Sequence, residues 1–271
     1  MLARVSTWWT IFKICVEERL VYRGDFALGT LMRFLPIVTQ IFLWTAVFAS
    51  AGTGNIQGYS REDVIAYYLL TMLVRAFSSM PGLATGIARQ VREGEIKKFL
   101  IQPIDLLSYL LLARIAHKVV YYLVAAGPFA LVFYLCRDYF PGWPPAEVFV
   151  AFLYSVLLSF LLGFFMEATM GMIAFWFLEV SSLLFVLMLF TFFFSGHMFP
   201  LEFLPEPWKT IVDYTPFPYL AYFASAVFLG KIQGAELVRG LIIQTAWTVG
   251  FVAVCRLSMN AGYRRYSGYG G

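Results

Sequence analysis

Apolar residues run in long blocks along this chain, and short polar stretches separate them. Six blocks have the length of a membrane-spanning helix, roughly 17–25 residues or more. They fall at 26–50, 64–81, 105–135, 146–172, 181–199 and 235–258. Residues 5–23 pattern differently. Thr10, Lys13 and Glu17 share one helix face, while Trp8, Ile11, Phe12, Cys15 and Val16 fall largely elsewhere. That spacing predicts an amphipathic helix lying in the membrane interface with aromatic anchors. The alternative is a frayed first turn of the first span. Within the first block, Arg33 sits about two turns in, where it can snorkel to the headgroups. Pro36 predicts a kink there.

The linkers carry their own patterns. In residues 83–102, Arg89, Arg92, Lys97 and Lys98 stand against Glu93 and Glu95. Ile87 and Val91 are four apart, and Ile96, Phe99 and Leu100 continue an apolar side after Gly94. The pattern predicts a short amphipathic helix bent at Gly94. The loop 136–145, CRDYFPGWPP, has the aromatic content of a membrane boundary. A tight turn is predicted at 174–179. Residues 200–231 hold prolines at 200, 205, 207, 216 and 218. Two short helices fit there, near 207–214 and 218–229, and neither spans.

Composition sharpens this picture. The 271 residues are 61% hydrophobic and 13% charged, with a mean hydropathy of +0.75. Soluble chains run at roughly 45–50% apolar and ~25% charged. Too little polar surface remains for a soluble enzyme, a nucleic-acid-binding domain or a disordered chain. The expectation is one all-α membrane domain over 1–271. The net charge of +4 then reports an orientation bias. With the N-terminus in the cytoplasm, the inner side receives Arg4, Lys13, Arg19, Arg23, Arg89, Arg92, Lys97, Lys98, Arg256, Arg264 and Arg265. The outer side receives Arg61, Arg137, Lys209 and Lys231. Both termini are therefore expected inside, with 83–102 cytoplasmic and 200–231 external. The turn at 174–179 carries no basic residue and is an exception. The run from Val5 to Val16 is broken by Lys13 and does not read as a cleavable signal.

Little chemistry is visible. A phosphate-cradling loop ends in Gly-Lys-Ser/Thr, and here Gly230-Lys231 is followed by Ile232. No nucleotide site of that type is expected. Three scattered cysteines and two histidines give no metal site. Ser195-Gly196-His197 lacks the flanks of a serine nucleophile. No catalytic residue is assigned.

Charges inside apolar blocks are expensive and need a reason. Arg75 lies about 11 residues, or ~17 Å, into the second block. It fits either the polar lining of a path or an internal ion pair. Glu167 belongs to the same question. Arg114, Lys118 and Glu179 read first as structural pairs or cations near an interface. Phe199 and Pro200 open the external segment, which fits a gate over a pathway or an ordinary connection.

One stretch after the fifth block reads Gly196-His197-Met198-Phe199-Pro200-Leu201-Glu202-Phe203-Leu204-Pro205. With the interfacial helix, six spans and the charged helix after the second, the chain resembles the membrane subunits of ABC-2 type transporters. Four stretches resemble more narrowly a branch of uncharacterised ABC-2 permeases: YRGDFALG (22–29), YYLLTMLVR (67–75), VREGEIKKFLIQPI (91–104) and FWFLEVSSLL (175–184). The last departs from a more acidic version at Leu178-Glu179-Val180.

The resemblance implies a type V exporter-like fold, with short re-entrant helices outside the membrane before the last span. It implies an exporter permease of the cell inner membrane. Two permease chains, identical or siblings, would form the pathway, with the first, second and fifth spans facing the partner. Separate ATP-binding cassette subunits would hold ATP and Mg, and this chain would hold no cofactor. Residues 83–102 would be the coupling helix, with Arg89, Arg92, Glu93, Gly94, Glu95, Lys97 and Lys98 at the ATPase. Lys13, Glu17, Glu18 and Arg19 would pack beside it. Arg75, Glu167, Phe199 and Pro200 would serve the pathway or its gate. The substrate would be amphipathic or hydrophobic: a drug, lipid, glycolipid or peptide. The rival reading is an ion-coupled secondary transporter using Arg75 and Glu167, although no repeat of three plus three spans is visible. A membrane enzyme or assembly factor would need a catalytic constellation, and none is recognisable.

Overall fold

The structure is a computed structural model that describes residues 2–21, 24, 28, 29, 32, 34–177 and 179–266. Arg23, Arg33, Leu178, most of the 22–29 stretch and the predicted start of the first span at Phe26 lie outside the described residues. The described residues form eleven α-helices joined by short 3-10 turns, and no strand. In chain order these are α1 (Leu2–Val21), α2 (Phe34–Ala51), α3 (Arg61–Ser78), α4 (Leu83–Arg92), α5 (Lys97–Ile101) and α6 (Leu106–Leu135). Then follow α7 (Ala146–Met172), α8 (Ser181–Phe194), α9 (Trp208–Asp213), α10 (Tyr222–Phe228) and α11 (Gly234–Arg265).

Among the described residues, four candidate spans are long and apolar enough to cross a membrane: α6, α7 with its 3-10 extension, α11, and α3 continued through α4. The first and fifth predicted spans appear as shorter apolar helices, α2 and α8. The fourteen residues of α8 reach only about 21 Å at 1.5 Å each. Its predicted end at Phe199 moves back to Phe194 for a physical reason. Gly196 has φ +70, a left-handed conformation that ends a helix. The Ser195 carbonyl accepts the Tyr222 N–H, and the Gly196 carbonyl accepts the Tyr67 hydroxyl. Pro36 lies in the first turn of α2, where proline costs no intrahelical hydrogen bond. The expected interior kink is therefore not required there. The last span runs on to Arg265, beyond the predicted Ser258.

Helix α7 is the axis of the bundle. It packs against α3, α4, α10 and α11. Two glycines make close approach possible. A Cβ at Gly163 would run into the Ser78 carbonyl, and one at Gly171 would meet Ile87 and the Ala84 backbone. Small residues of this kind let membrane helices touch backbone to backbone. Across α7 and α11, Gln244 donates to the carbonyls of Ser155 and Tyr219 at 3.0 and 3.1 Å and accepts from the Ser155 hydroxyl at 2.9 Å. Ser159 adds a bond to the same Tyr219 carbonyl. A satisfied polar network costs little in hydrocarbon, whereas one missing partner would be expensive.

The proline-rich segment forms two short helices, α9 and α10, close to the positions the sequence predicts. Helix α10 buries Phe223 to Val227 against α3 and α7. The start of α3 is fixed by Ser60, whose hydroxyl accepts the Asp63 N–H while Asp63 accepts the Ser60 N–H. Lys231 then reaches Asp63 at 2.7 Å and joins the proline-rich segment to α3.

Candidate functional site

Ser79 to Gly82 interrupt the α3–α4 line. Ser79 is extended and Gly82 has φ +73. A break of this kind leaves helix-end carbonyls without intrahelical partners. Lys118, buried on α6, supplies them: Nζ donates to Ala76 O at 2.6 Å and Ser79 O at 2.7 Å. Arg114 Nη1 donates to Pro81 O at 3.1 Å. Both cations thus hold backbone, as cations at a helix C-terminus do. On the other side, Glu167 lies against the Ala84 N–H at the first turn of α4, where a carboxylate is favoured. Glu167 falls between Gly163 and Gly171 at i+4 and i−4. One face of α7 therefore brings the backbones together and aims an acid at the break.

A cavity of about 540 Å³ opens beside this break. Arg75, Ser79 and Gly82 line one side, Glu167 a second, and Thr191 and His197 a third. Arg75 and Glu167, both half-buried, share this one cavity. Arg75 Nη1 is 3.5 Å from the Ser195 hydroxyl. Among the described residues the Thr191 hydroxyl, shut off from solvent, has no hydrogen-bond partner. Met188 and Leu184 of α8 complete an apolar wall. The arrangement offers a cation, an acid and a hydroxyl around an apolar-walled space. That suits a molecule with a polar end and an apolar body. Phe199 and Pro200 do not line this cavity; Pro200 is buried and Phe199 half-buried nearby in sequence. Thr191 escapes sequence reasoning, because a threonine is not unusual in an apolar block, and His197 stands out in the sequence only beside Ser195, with no sign of a cavity.

The charged linker forms a helical hairpin, α4 and α5, turned at Gly94 with φ +75. Leu83, Ile87 and Val91 face the core, each stabilised by about 1.5–3 kcal/mol against exposure to water. Arg89, Arg92, Glu93, Glu95, Lys97 and Lys98 are exposed, while Gly94 is buried. Arg89 pairs with Glu93 at 4.0 Å and Lys98 with Glu95 at 3.4 Å. Leu100 and Ile101, 46% and 82% exposed, end the hairpin with apolar surface. Arg92 Nη1 reaches Glu179 at 3.4 Å. The Ser181 hydroxyl and N–H hold the Glu179 carboxyl below the usual carboxylate range.

Helix α1 packs chiefly on α6, so its charges are not drawn into one cluster with the hairpin. Lys13, Glu17 and Glu18 are exposed and Arg19 is half-buried. Lys13 Nζ stands 5.6 Å over the Trp9 ring. Among the described residues no group of His, Cys, Asp and Glu is placed to hold a metal.

The sequence model of the ABC-2 family transporter proteins matches residues 34–270. No curated protein matches the chain.

Proposed function

The chain belongs to the ABC-2 transporter family, whose permeases generally work with ATP-binding cassette subunits, and from that premise we propose that it lines the substrate path of an ATP-driven exporter. One observation carries the reading. Arg75 and Glu167 share a cavity at the break that joins a spanning helix to an exposed, charge-studded hairpin. The hairpin is the coupling element. It seats in a cleft of the ATPase through Arg89, Arg92, Glu93, Glu95, Lys97 and Lys98, and Gly94 sets its bend. The mixed charges suit a wet interface that opens and closes. Closing of the ATPase pair pushes on the hairpin, and the break beside Gly82 passes the push to the cavity wall. Lys13, Glu17, Glu18 and Arg19 on α1 follow through α6.

The substrate is amphipathic or hydrophobic, with its polar end at Arg75, Glu167 and Thr191. Phe199 and Pro200 stand in the segment that closes the outer end. A second permease, identical or a sibling, covers the exposed apolar faces of α2 and α8, where Phe42, Leu43, Phe190 and Phe193 lie bare. Much of α3 is buried within its own chain, so α2 and α8 carry most of that contact. The chain sits in the cell inner membrane with both termini inside. ATP and Mg belong to the partner ATPase.

The test is affinity purification of the tagged chain in mild detergent, with mass spectrometry of what accompanies it. A soluble P-loop ATPase at about one copy per permease is expected. A second membrane protein of similar size would identify a heterodimer. Reversing Glu95 and Lys97 together should then uncouple ATP hydrolysis from transport and leave the melting temperature unchanged. A chain that purifies alone under several mild conditions, with transport that persists without any ATPase, would overturn the reading in favour of an ion-coupled carrier.

A further inference from the structure

A second cavity, of about 410 Å³, lies on another face of α3 and shares no lining residue with the first. Its walls come from four helices and a loop: Leu73 of α3, Phe133 at the end of α6, Trp143 of the loop, Phe149 of α7 and Phe228 of α10. Phe152 and Phe228 meet edge to face at 5.1 Å, and Trp143 stands edge-on to Phe149 at 5.9 Å. The walls are almost wholly apolar and aromatic. A bound water needs two to four polar partners, and these walls do not supply them. The natural filling is hydrocarbon.

The position of the cavity says which hydrocarbon. It sits where α6 ends and α7 begins, at the turn Arg137–Trp143. Trp143, 84% exposed, and Tyr134 mark the boundary between membrane and water. Among the described residues Arg137 is the one charged residue in the lining. Its guanidinium lies 4.8 Å over the Tyr134 ring. Its side chain is 63% exposed, and its contact to Asp138, at 3.5 Å, involves a carboxylate that is 88% exposed. That ion pair is weak and open to competition. A cation at headgroup level, above an aromatic slot of ligand size, matches an anionic head on an apolar tail.

We propose that this cavity holds one acyl chain of an anionic phospholipid from the adjoining leaflet, with the lipid phosphate on Arg137. The assignment stands independently of the transport reading, because it uses neither Arg75, Glu167 nor the hairpin.

The test uses the full chain in phosphatidylcholine nanodiscs containing phosphatidylglycerol with a photoactivatable diazirine in its acyl chain. After irradiation, adducts are mapped by mass spectrometry. Adducts should concentrate on Phe133, Phe149 and Phe228 over the exposed Leu123 of α6 and Val249 of α11. Arg137→Gln, at a side chain that is mostly exposed, should lower the cavity adducts by about fivefold, as removal of one interfacial cation does. Leu73→Trp should block them by filling the space. If Leu73→Trp fails to fold, Arg137→Gln decides alone. Adducts as frequent at Leu123 and Val249 as in the cavity would overturn the site. Equal labelling by a zwitterionic phosphatidylcholine probe, unchanged in Arg137→Gln, would overturn the anionic assignment.

Discussion

Lys118 Nζ sits 2.6 Å from the Ala76 carbonyl oxygen, 42 residues away in the chain. A lysine buried in an apolar helix thus serves as the cap of a different helix. Without it, the end of α3 would leave carbonyls unsatisfied in hydrocarbon. Lys118→Met keeps the length and removes the donor. It should lower the stability of the purified chain by about 1–3 kcal/mol, the cost of buried acceptors without partners. Thermal unfolding in detergent measures this. An unchanged melting temperature would mean that water caps the break instead.

Gly163 and Gly250 are both helix-interior glycines, and they should respond oppositely to alanine. A Cβ at 163 meets the Ser78 backbone, which cannot swing away, while one at 250 meets nothing within 4 Å. Gly163→Ala should cost about 1–3 kcal/mol through forced separation of α3 and α7. Gly250→Ala should be neutral or stabilise by up to about 1 kcal/mol through helix propensity. Paired melting curves check this. Similar losses at both sites would refute the close-approach account.

The sequence makes the long elements readable and leaves the clasps between them hidden. Helix α7 runs from 146 to 172, the bounds predicted for the fourth span, because Pro145 precedes a long apolar run whose only charges are Glu147 and Glu167. The bend at Gly94 is likewise legible, since only glycine enters φ +75 without strain. The early end of α8 is not. It depends on Tyr67 and Tyr222 gripping Ser195 and Gly196, and spacing along one segment cannot reveal partners so far away. The cavity is half legible. A charge at position 75 or 167 is conspicuous in an apolar block, but that both line one space depends on packing through Gly163 and Gly171. The role of Lys118 needs the position of the break, which apolar periodicity does not give.

Asp105 joins the start of α6 to α11. It accepts the Ser108 N–H at 2.8 Å and Arg256 Nη1 at 2.6 Å. Burial pushes its carboxyl up, but the hydrogen bonds from Arg256 and Ser108 outweigh this and hold it below the ordinary aspartate value. A lowered carboxyl stabilises the fold above its unfolded-state value, near ~3.9, and that stability is lost as pH falls through the lower folded-state value. The native chain should therefore melt higher than Asp105→Asn at neutral pH. The difference should shrink only below about pH 4. A difference that does not change with pH would show that the ionised form is not what stabilises the joint.

Arg92 meets Glu179 at 3.4 Å, with both side chains well exposed. An exposed pair of this kind is worth about 0–1 kcal/mol, so its loss should hardly move the melting temperature. The same arginine stands on the outer side of the hairpin, where the ATPase is proposed to dock. Arg92→Glu should therefore lower transport-coupled ATP hydrolysis several-fold without a matching loss of stability. Adding Glu179→Arg rebuilds the pair with its charges exchanged. If the partner reads the outward charge of Arg92, coupling stays low in the double variant, and this is the expected result. If the pair instead clasps the hairpin to the turn before α8, the exchange restores coupling. Measured side by side in the same reconstituted complex, the two variants separate a docking charge from an internal tie.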